Sequence, residues 1–124
     1  MIDRKKLKRE YKETVQPMGV YRITNNVDGK IFISASIDLR AAFNSNIFQL
    51  NFGMHRNKEL QAAYTHLGEE RFSFDILDYL EPKKDQGYNY AEDLKVLEDM
   101  WLDKLQPYEE KGYNRRKTGS VQSE

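Results

Sequence analysis

The sequence of 124 residues contains no cysteine, which excludes disulfide bonds and thiolate metal sites. Its apolar runs are only a few residues long, so no segment is expected to span a membrane. The amino terminus is basic but lacks the apolar stretch of a signal peptide, and we therefore expect a cytoplasmic protein. The sequence has no internal repeat. Its length fits one domain, and aromatic residues at 12% argue against disorder.

The formal net charge is zero, because 20 Lys and Arg residues are balanced by 20 Asp and Glu residues. The two signs are unevenly distributed along the chain. Residues 69–110 carry thirteen acidic and five basic side chains, whereas the rest of the chain is net basic. A neutral total is therefore compatible with a basic surface that binds nucleic acid, although the acidic segment can equally be a solubilising surface.

Three β-strands are predicted. The runs 20–23 and 31–33 are rich in β-branched and aromatic residues, and the turn between them contains Asp28 and Gly29. Asp-Gly between two such runs is a strong signal for a β-hairpin. A third strand is predicted at 72–77, where apolar and polar residues alternate.

Helical periodicity predicts four helices. They cover about 2–14, 39–51, 58–67 and 91–105. Asp38 and Asn57 are suited to cap the second and third helices, and Gly68 is expected to end the third. The order α-β-β-α-α-β-α predicts an α/β (α+β) fold, a small sandwich whose three-stranded, mainly antiparallel sheet is flanked by helices.

Two polar side chains fall on apolar helix faces. At about 100° per residue, Glu98 lies inside the apolar arc of the last helix. The other acidic residues of that helix lie outside this arc. A carboxylate among apolar neighbours is paired, protonated or bound to a metal, so Glu98 is either a paired acid or a functional group. Asn46 lies in the centre of the apolar face of helix 39–51, which favours a structural amide with hydrogen-bond partners.

The sequence resembles the GIY-YIG nuclease family over about residues 18–114. Gly-Val-Tyr at 19–21 stands at the first family motif and Phe-Ile-Ser at 32–34 stands at the second, one in each hairpin strand. The other typical tracts are 57–61, 68–72 and 112–114. Single motifs are weak signals, but their order and spacing together are fairly specific to the family.

The resemblance implies hydrolytic cleavage of a DNA phosphodiester with one divalent metal, Mg²⁺ or Mn²⁺. In the family, a glutamate on the last helix holds the metal, two motif tyrosines bracket the reacting water, and an arginine on the first inner helix neutralises phosphate. Carried over to this sequence, the first tyrosine is Tyr21 and the metal ligand is Glu98. The family also implies a site role for His55, which could contact phosphate, and for the motif asparagine, Asn114.

Four family positions hold a different residue. The second motif tyrosine is Phe32, which lacks the hydroxyl, and the motif glycine is Ser34. The arginine position holds Ala42, and the histidine one turn later is Asn46. Arg40 is close in sequence, but it points away from that helix face. Because the loss of one transition-state donor commonly costs about 100- to 1000-fold in rate, we expect impaired cleavage.

Three functions remain open from the sequence. The first is a catalytically impaired GIY-YIG-like domain that binds DNA or a protein partner. The second is an active metal-dependent endonuclease with a rearranged site, in which Tyr11, Tyr64 or His55 supplies the missing groups. The third is a structural or regulatory module without DNA binding, in which Glu98 is only a buried, paired acid.

The same reasoning predicts a basic amino-terminal helix at 1–17, the GIY-YIG-like domain at 18–114, and a basic, flexible tail at 115–124. Basic side chains at both termini would follow a phosphate backbone if they lie beside the cleft. The predicted DNA-binding residues are Lys5, Lys6, Arg9, Arg115, Arg116 and Lys117. The alternative interpretation is that the basic side chains of both termini are solvated and do not form a DNA-binding surface. The sequence predicts no particular oligomeric state.

Overall fold

The structure, a computed structural model, describes residues 16–85 and 87–116. The predicted helix at 2–14 lies outside the described residues, and so do Tyr11 and the predicted DNA contacts Lys5, Lys6, Arg9 and Lys117. The described strands are β1 (Gly19–Asn25), β2 (Ile31–Ser36) and β3 (Phe72–Tyr79). The helices are α1 (Leu39–Asn51), α2 (Lys58–Leu67) and α3 (Ala91–Leu105), and short 3₁₀ turns lie at Glu69–Arg71 and Glu109–Lys111.

The three strands form one antiparallel sheet in the order β2-β1-β3. This arrangement confirms the predicted α+β fold. In the central strand, Tyr21 stands opposite Ser34 on β2 and Ile76 on β3. No helix within the described residues is long and apolar enough to cross a bilayer.

The two inner helices begin where the sequence predicts, because a side chain at each start accepts a backbone hydrogen bond. The Asp38 carboxylate accepts from the Ala41 N–H at 3.0 Å, and the Asn57 amide oxygen accepts from the Leu60 N–H at 3.0 Å. Gly68 ends α2 with a φ of +93°, a backbone conformation that side chains disfavour. The caps therefore place the α1–α2 connection, residues 52–57, at a defined point beside the sheet.

The core has two sides because residues in a strand alternate between the faces of the sheet. Tyr21 and Phe32 pack with α1 and α2, whereas Val20 and Ile33 pack with Leu102 of α3. The helix α3 thus covers the opposite face of the sheet from α1 and α2. Glu98 belongs to this helix and is half-buried.

The chain after α3 returns along β2, an edge strand of the sheet. The Tyr113 N–H donates to the Ile31 carbonyl at 2.8 Å, and Gly112 forms an isolated parallel bridge with Ile31. A β-carbon at Gly112 would overlap the carbonyl oxygens of Pro107 and Ile31, so glycine permits this close approach. The carboxy-terminal segment therefore covers part of an otherwise open strand edge.

Candidate functional site

A polar pocket of about 190 Å³ lies between the β1–β2 hairpin and α1. Its lining residues are Tyr21, Ser34, Ala35, Ser36, Ala42, Ser45, Asn46, Gln49 and Arg56. Four of these occupy family positions, and they come from β1, β2 and α1. The fold therefore brings together Tyr21, Ser34, Ala42 and Asn46, which the sequence separates by up to 25 residues.

A chain of short hydrogen bonds runs from Tyr21 into the protein. The Asn46 side-chain nitrogen, Nδ2, is 2.9 Å from the Tyr21 hydroxyl oxygen and 2.7 Å from the Ala42 carbonyl oxygen. The amide oxygen of Asn46, Oδ1, is 2.6 Å from His55 Nε2. Asn46 is 8% exposed and has partners at both ends of its amide, which agrees with the structural role predicted for it.

His55 is 1% exposed, and both of its ring nitrogens are engaged. Nδ1 accepts from the Asn57 N–H at 3.0 Å, while Nε2 faces Asn46. Burial lowers the pKa of His55 below its ordinary value, and the charge of Arg56 lowers this pKa further. His55 is therefore a neutral imidazole at neutral pH. In this structure it lies behind the pocket and is absent from the pocket lining.

Arg56 is a charged residue of this pocket that the sequence did not predict. Its guanidinium carbon lies 5.8 Å from the centre of the Phe32 ring, and Nη2 is 3.5 Å from the Ser34 hydroxyl oxygen. The side chain is exposed, so its charge is accessible from the pocket. Its position next to His55 was a usable signal, but Arg56 lies in a connection that has no periodicity from which a direction can be predicted.

Asn114 holds the carboxy-terminal segment against β2. Its Nδ2 donates to the Ile33 carbonyl at 2.8 Å, and its Oδ1 accepts from the Ile33 N–H at 2.8 Å. Both polar ends of the amide thus bind the backbone of one residue. Since Ile33 is directly followed by Ser34, this pair of bonds sets the position of β2 beside the pocket.

Glu98 is not among the residues that line the pocket. It lies half-buried on α3, and residues 16–85 and 87–116 contain no group of three or more His, Asp or Glu side chains that could hold a metal ion. One carboxylate is nevertheless a donor set that suits Mg²⁺, which keeps several waters and uses one or two protein carboxylates together with substrate phosphates.

The remaining predicted residues lie apart from the pocket lining. The Tyr64 hydroxyl donates to Asn51 Oδ1 at 2.7 Å. Arg116 forms two hydrogen bonds with the Glu109 carboxylate, at 3.1 and 3.2 Å, and its guanidinium stacks on the Tyr108 ring. Arg115 is exposed. Arg115 therefore offers an accessible cation, whereas the charge of Arg116 is paired with an acid.

Comparison with known proteins shows the fold of this chain. No protein-family model matches the sequence, and the search of curated proteins gives no match. One similar solved structure is the catalytic domain of the homing endonuclease I-TevI, at 23% identity and a TM-score of 0.65, over 81% of this chain and 99% of that domain. Another is the catalytic domain of the intron endonuclease I-TevI with one glutamate replaced by alanine, at 21% identity and a TM-score of 0.66, over 80% of this chain and 93% of the other. The chain thus has the fold of an endonuclease catalytic domain, which confirms the fold expected from the GIY-YIG resemblance.

Proposed function

We propose that this domain binds the phosphate backbone of DNA at the polar pocket and that its cleavage of phosphodiesters is impaired. The observation that carries the proposal is the position of Arg56, whose guanidinium lines the same pocket as the Tyr21 hydroxyl. A guanidinium matches the geometry of phosphate oxygens and remains charged at every physiological pH. The endonuclease-like fold makes DNA the expected source of that phosphate.

The pocket is suited to a phosphate group because its polar atoms converge there. Ser34, Ser36 and Ser45 line the pocket together with Arg56, and the Ser34 hydroxyl oxygen is 3.5 Å from the Arg56 guanidinium. The Phe32 ring below Arg56 restricts the directions that the long side chain can take, which lowers the entropy lost on binding. Among residues 16–85 and 87–116, no acidic side chain lines the pocket, so its local charge favours an anion.

Cleavage is proposed to be weak because three side chains that the GIY-YIG resemblance implies are replaced, at Phe32, Ala42 and Asn46. Arg56 supplies a cation in place of the one that Ala42 lacks, but it reaches the pocket from a different element of the fold. Phe32 has no hydroxyl with which to orient a reacting water. Each missing transition-state contact of this kind commonly costs about 100- to 1000-fold in rate.

Glu98 is the proposed ligand for Mg²⁺ or Mn²⁺. A bound divalent ion would supply charge neutralisation and a more acidic water molecule. In this proposal the residues of the chain have the other tasks: Arg56 binds phosphate, Tyr21 orients it, and His55 and Asn114 hold the surrounding elements in place. Arg115, which is exposed, is a further proposed contact with DNA.

An active endonuclease is the second candidate function, and Arg56 is the observation that favours it. A guanidinium near phosphate could restore part of the lost transition-state stabilisation. The two candidates share the binding site and differ only in turnover.

Two measurements test the proposal. Fluorescence anisotropy with a labelled DNA duplex is expected to show binding that weakens steeply as salt increases, because phosphate contacts release counterions. Incubation of supercoiled plasmid with the protein and Mg²⁺ or Mn²⁺ is expected to produce little or no nicking. Efficient nicking that Glu98→Ala abolishes would establish the active endonuclease instead. Absent or salt-insensitive DNA binding would refute the proposal and leave a protein partner or a structural module.

A further inference from the structure

The hydrogen bonds behind the pocket all run in one direction from donor to acceptor, from the Asn57 backbone towards the Tyr21 hydroxyl. A backbone N–H can only donate, so His55 Nδ1 must be the acceptor of the Asn57 bond. A neutral imidazole then carries its single proton on Nε2. This nitrogen consequently donates to Asn46 Oδ1, 2.6 Å away.

The orientation of the Asn46 amide follows independently from its other contacts. The Ala42 carbonyl can only accept, so the amide end 2.7 Å from it must be the NH₂ group. The same group is 2.9 Å from the Tyr21 hydroxyl oxygen and donates its second proton there. The Asn57 N–H at one end of this series of hydrogen bonds and the Ala42 carbonyl at the other thus impose the same direction from donor to acceptor.

This direction determines where the Tyr21 proton points. The hydroxyl oxygen accepts from Asn46, so its own proton is directed away from that amide. Within residues 16–85 and 87–116, no group accepts a hydrogen bond from Tyr21, and the residue lines the pocket while being only 3% exposed. The pocket is therefore the place where an acceptor for this proton would lie.

We infer that Asn46 and His55 are positioning residues that hold the Tyr21 hydroxyl as a hydrogen-bond donor to a phosphate oxygen in the pocket. The inference rests on the proposed function and deepens it, because it assigns the second phosphate contact beside Arg56. It also limits what Tyr21 can do. The Asn46 nitrogen that faces the hydroxyl has no lone pair available for a proton. This series of hydrogen bonds therefore cannot take the proton from Tyr21. Tyr21 is then a binding group for an anion.

A double-mutant cycle on DNA affinity tests this coupling. The variants are Tyr21→Phe, Asn46→Leu and the combination of both, and Asn44→Leu on the exposed side of α1 is the matched control. Since a hydrogen bond to a charged group is lost, each of the first two variants is expected to weaken binding about tenfold. The combined variant should bind DNA no more weakly than either single variant, because Asn46 acts through the Tyr21 hydroxyl. Additive losses, about 100-fold in the combination, would overturn the inference, as would a loss of affinity in Asn44→Leu as large as in Asn46→Leu.

The tautomer of His55 provides a test that needs neither DNA nor a variant. Long-range proton–nitrogen NMR correlations are expected to show His55 protonated on Nε2 and unprotonated on Nδ1. The exposed His66 is the other histidine of the chain and serves as the internal reference. A proton on Nδ1 would mean that the donor and acceptor roles of these hydrogen bonds are reversed. This result would overturn the inference, whether or not the protein binds DNA.

Inorganic phosphate separates failure of the inference from failure of the proposed function. If the wild-type protein does not bind DNA, the proposed function is refuted. Phosphate is then added while the NMR shift of the Tyr21 ring carbon that bears the hydroxyl is followed. A saturable shift in the wild type that disappears in Asn46→Leu supports the inference, and no shift overturns it.

Discussion

The guanidinium carbon of Arg56 lies 5.8 Å from the centre of the Phe32 ring. The GIY-YIG resemblance implies a tyrosine at the position of Phe32, and the ring that stands there faces a cation. An aromatic face at this distance attracts a guanidinium and helps to orient it. Phe32 has no hydroxyl, and its ring lies beside the cation that we propose to bind phosphate.

Replacing Arg56 is expected to weaken DNA binding. Arg56→Gln removes one charged phosphate contact, so affinity should fall about tenfold, and the slope of log affinity against log salt should decrease by about one. Arg71→Gln is the matched control, since Arg71 is exposed beside β3 at the far edge of the sheet. Anisotropy titrations at several salt concentrations measure both quantities. Equal effects of the two substitutions would mean that Arg56 contributes only to the overall charge.

Restoring the family residues is expected to raise cleavage. Phe32→Tyr returns the second hydroxyl, and Ala42→Arg places a guanidinium in the pocket that Ala42 already lines. Since each restored contact is of the kind that contributes about 100-fold or more, the combined variant should nick plasmid at least about 100-fold faster than the wild type with Mg²⁺. Adding Glu98→Ala to the combined variant should abolish the gain. A combined variant that folds, binds DNA and shows no gain would contradict the proposed reason for weak cleavage.

Stability is expected to decrease in acid because of His55. Its folded-state pKa is lowered by burial, whereas the unfolded chain titrates near about 6.5. The unfolded state therefore binds the proton more readily. The contribution to stability is fully present above about pH 6.5 and is lost as the pH falls towards the folded-state pKa.

Urea unfolding between about pH 7.5 and 5 measures this effect. The free energy of unfolding should depend less on pH in His55→Gln than in the wild type. The control is His66→Gln, which changes an exposed histidine and should retain the wild-type dependence. If the free energy of unfolding depends on pH as strongly in His55→Gln as in the wild type, other groups cause the loss of stability in acid.

Removing the Asn114 side chain is expected to lower stability. Asn114→Ala loses both bonds to the Ile33 backbone and leaves those groups without their partner, so unfolding free energy should fall by about 1–3 kcal/mol. Asn44→Ala, at an exposed position on α1, should change stability by no more than about 0.5 kcal/mol. Thermal or urea unfolding measures the difference.

Because both ends of the Asn114 amide contact the backbone, and because β2 is also held by its pairing with β1, DNA affinity per folded molecule should be nearly unchanged in Asn114→Ala. A loss of affinity in fully folded protein would indicate direct contact between Asn114 and DNA.

The local elements were predictable because their signals lie within a few residues of one another. The predicted bounds of α1 and α3 agree with the structure, and Asp38 and Asn57 cap the helices as expected. The third strand extends two residues beyond its prediction, to Tyr79, because alternation ends before the pairing with β1 does. Periodicity also identified Asn46 as a buried amide, but it did not provide the partners of that amide.

The pocket was only partly predictable. Family spacing identified Tyr21 and the replaced positions around it, since hairpin register and helix periodicity determine where those side chains point. Arg56 escaped prediction because it lies in a connection, 22 residues after the Ser34 hydroxyl that it approaches. Its role depends on a distance across the fold that no local pattern contains.

The amino-acid sequence alone determined the elements, their order and the inventory of polar groups, because capping, turn chemistry and amphipathic spacing are short-range properties of the chain. Only the tertiary structure decided which of those groups meet. The sheet and the α1–α2 connection place Arg56 over Phe32 and align Asn57, His55, Asn46 and Tyr21 in one hydrogen-bonded series. The direction of that series comes from backbone groups at its two ends, and a backbone group has a defined position only when the chain is folded.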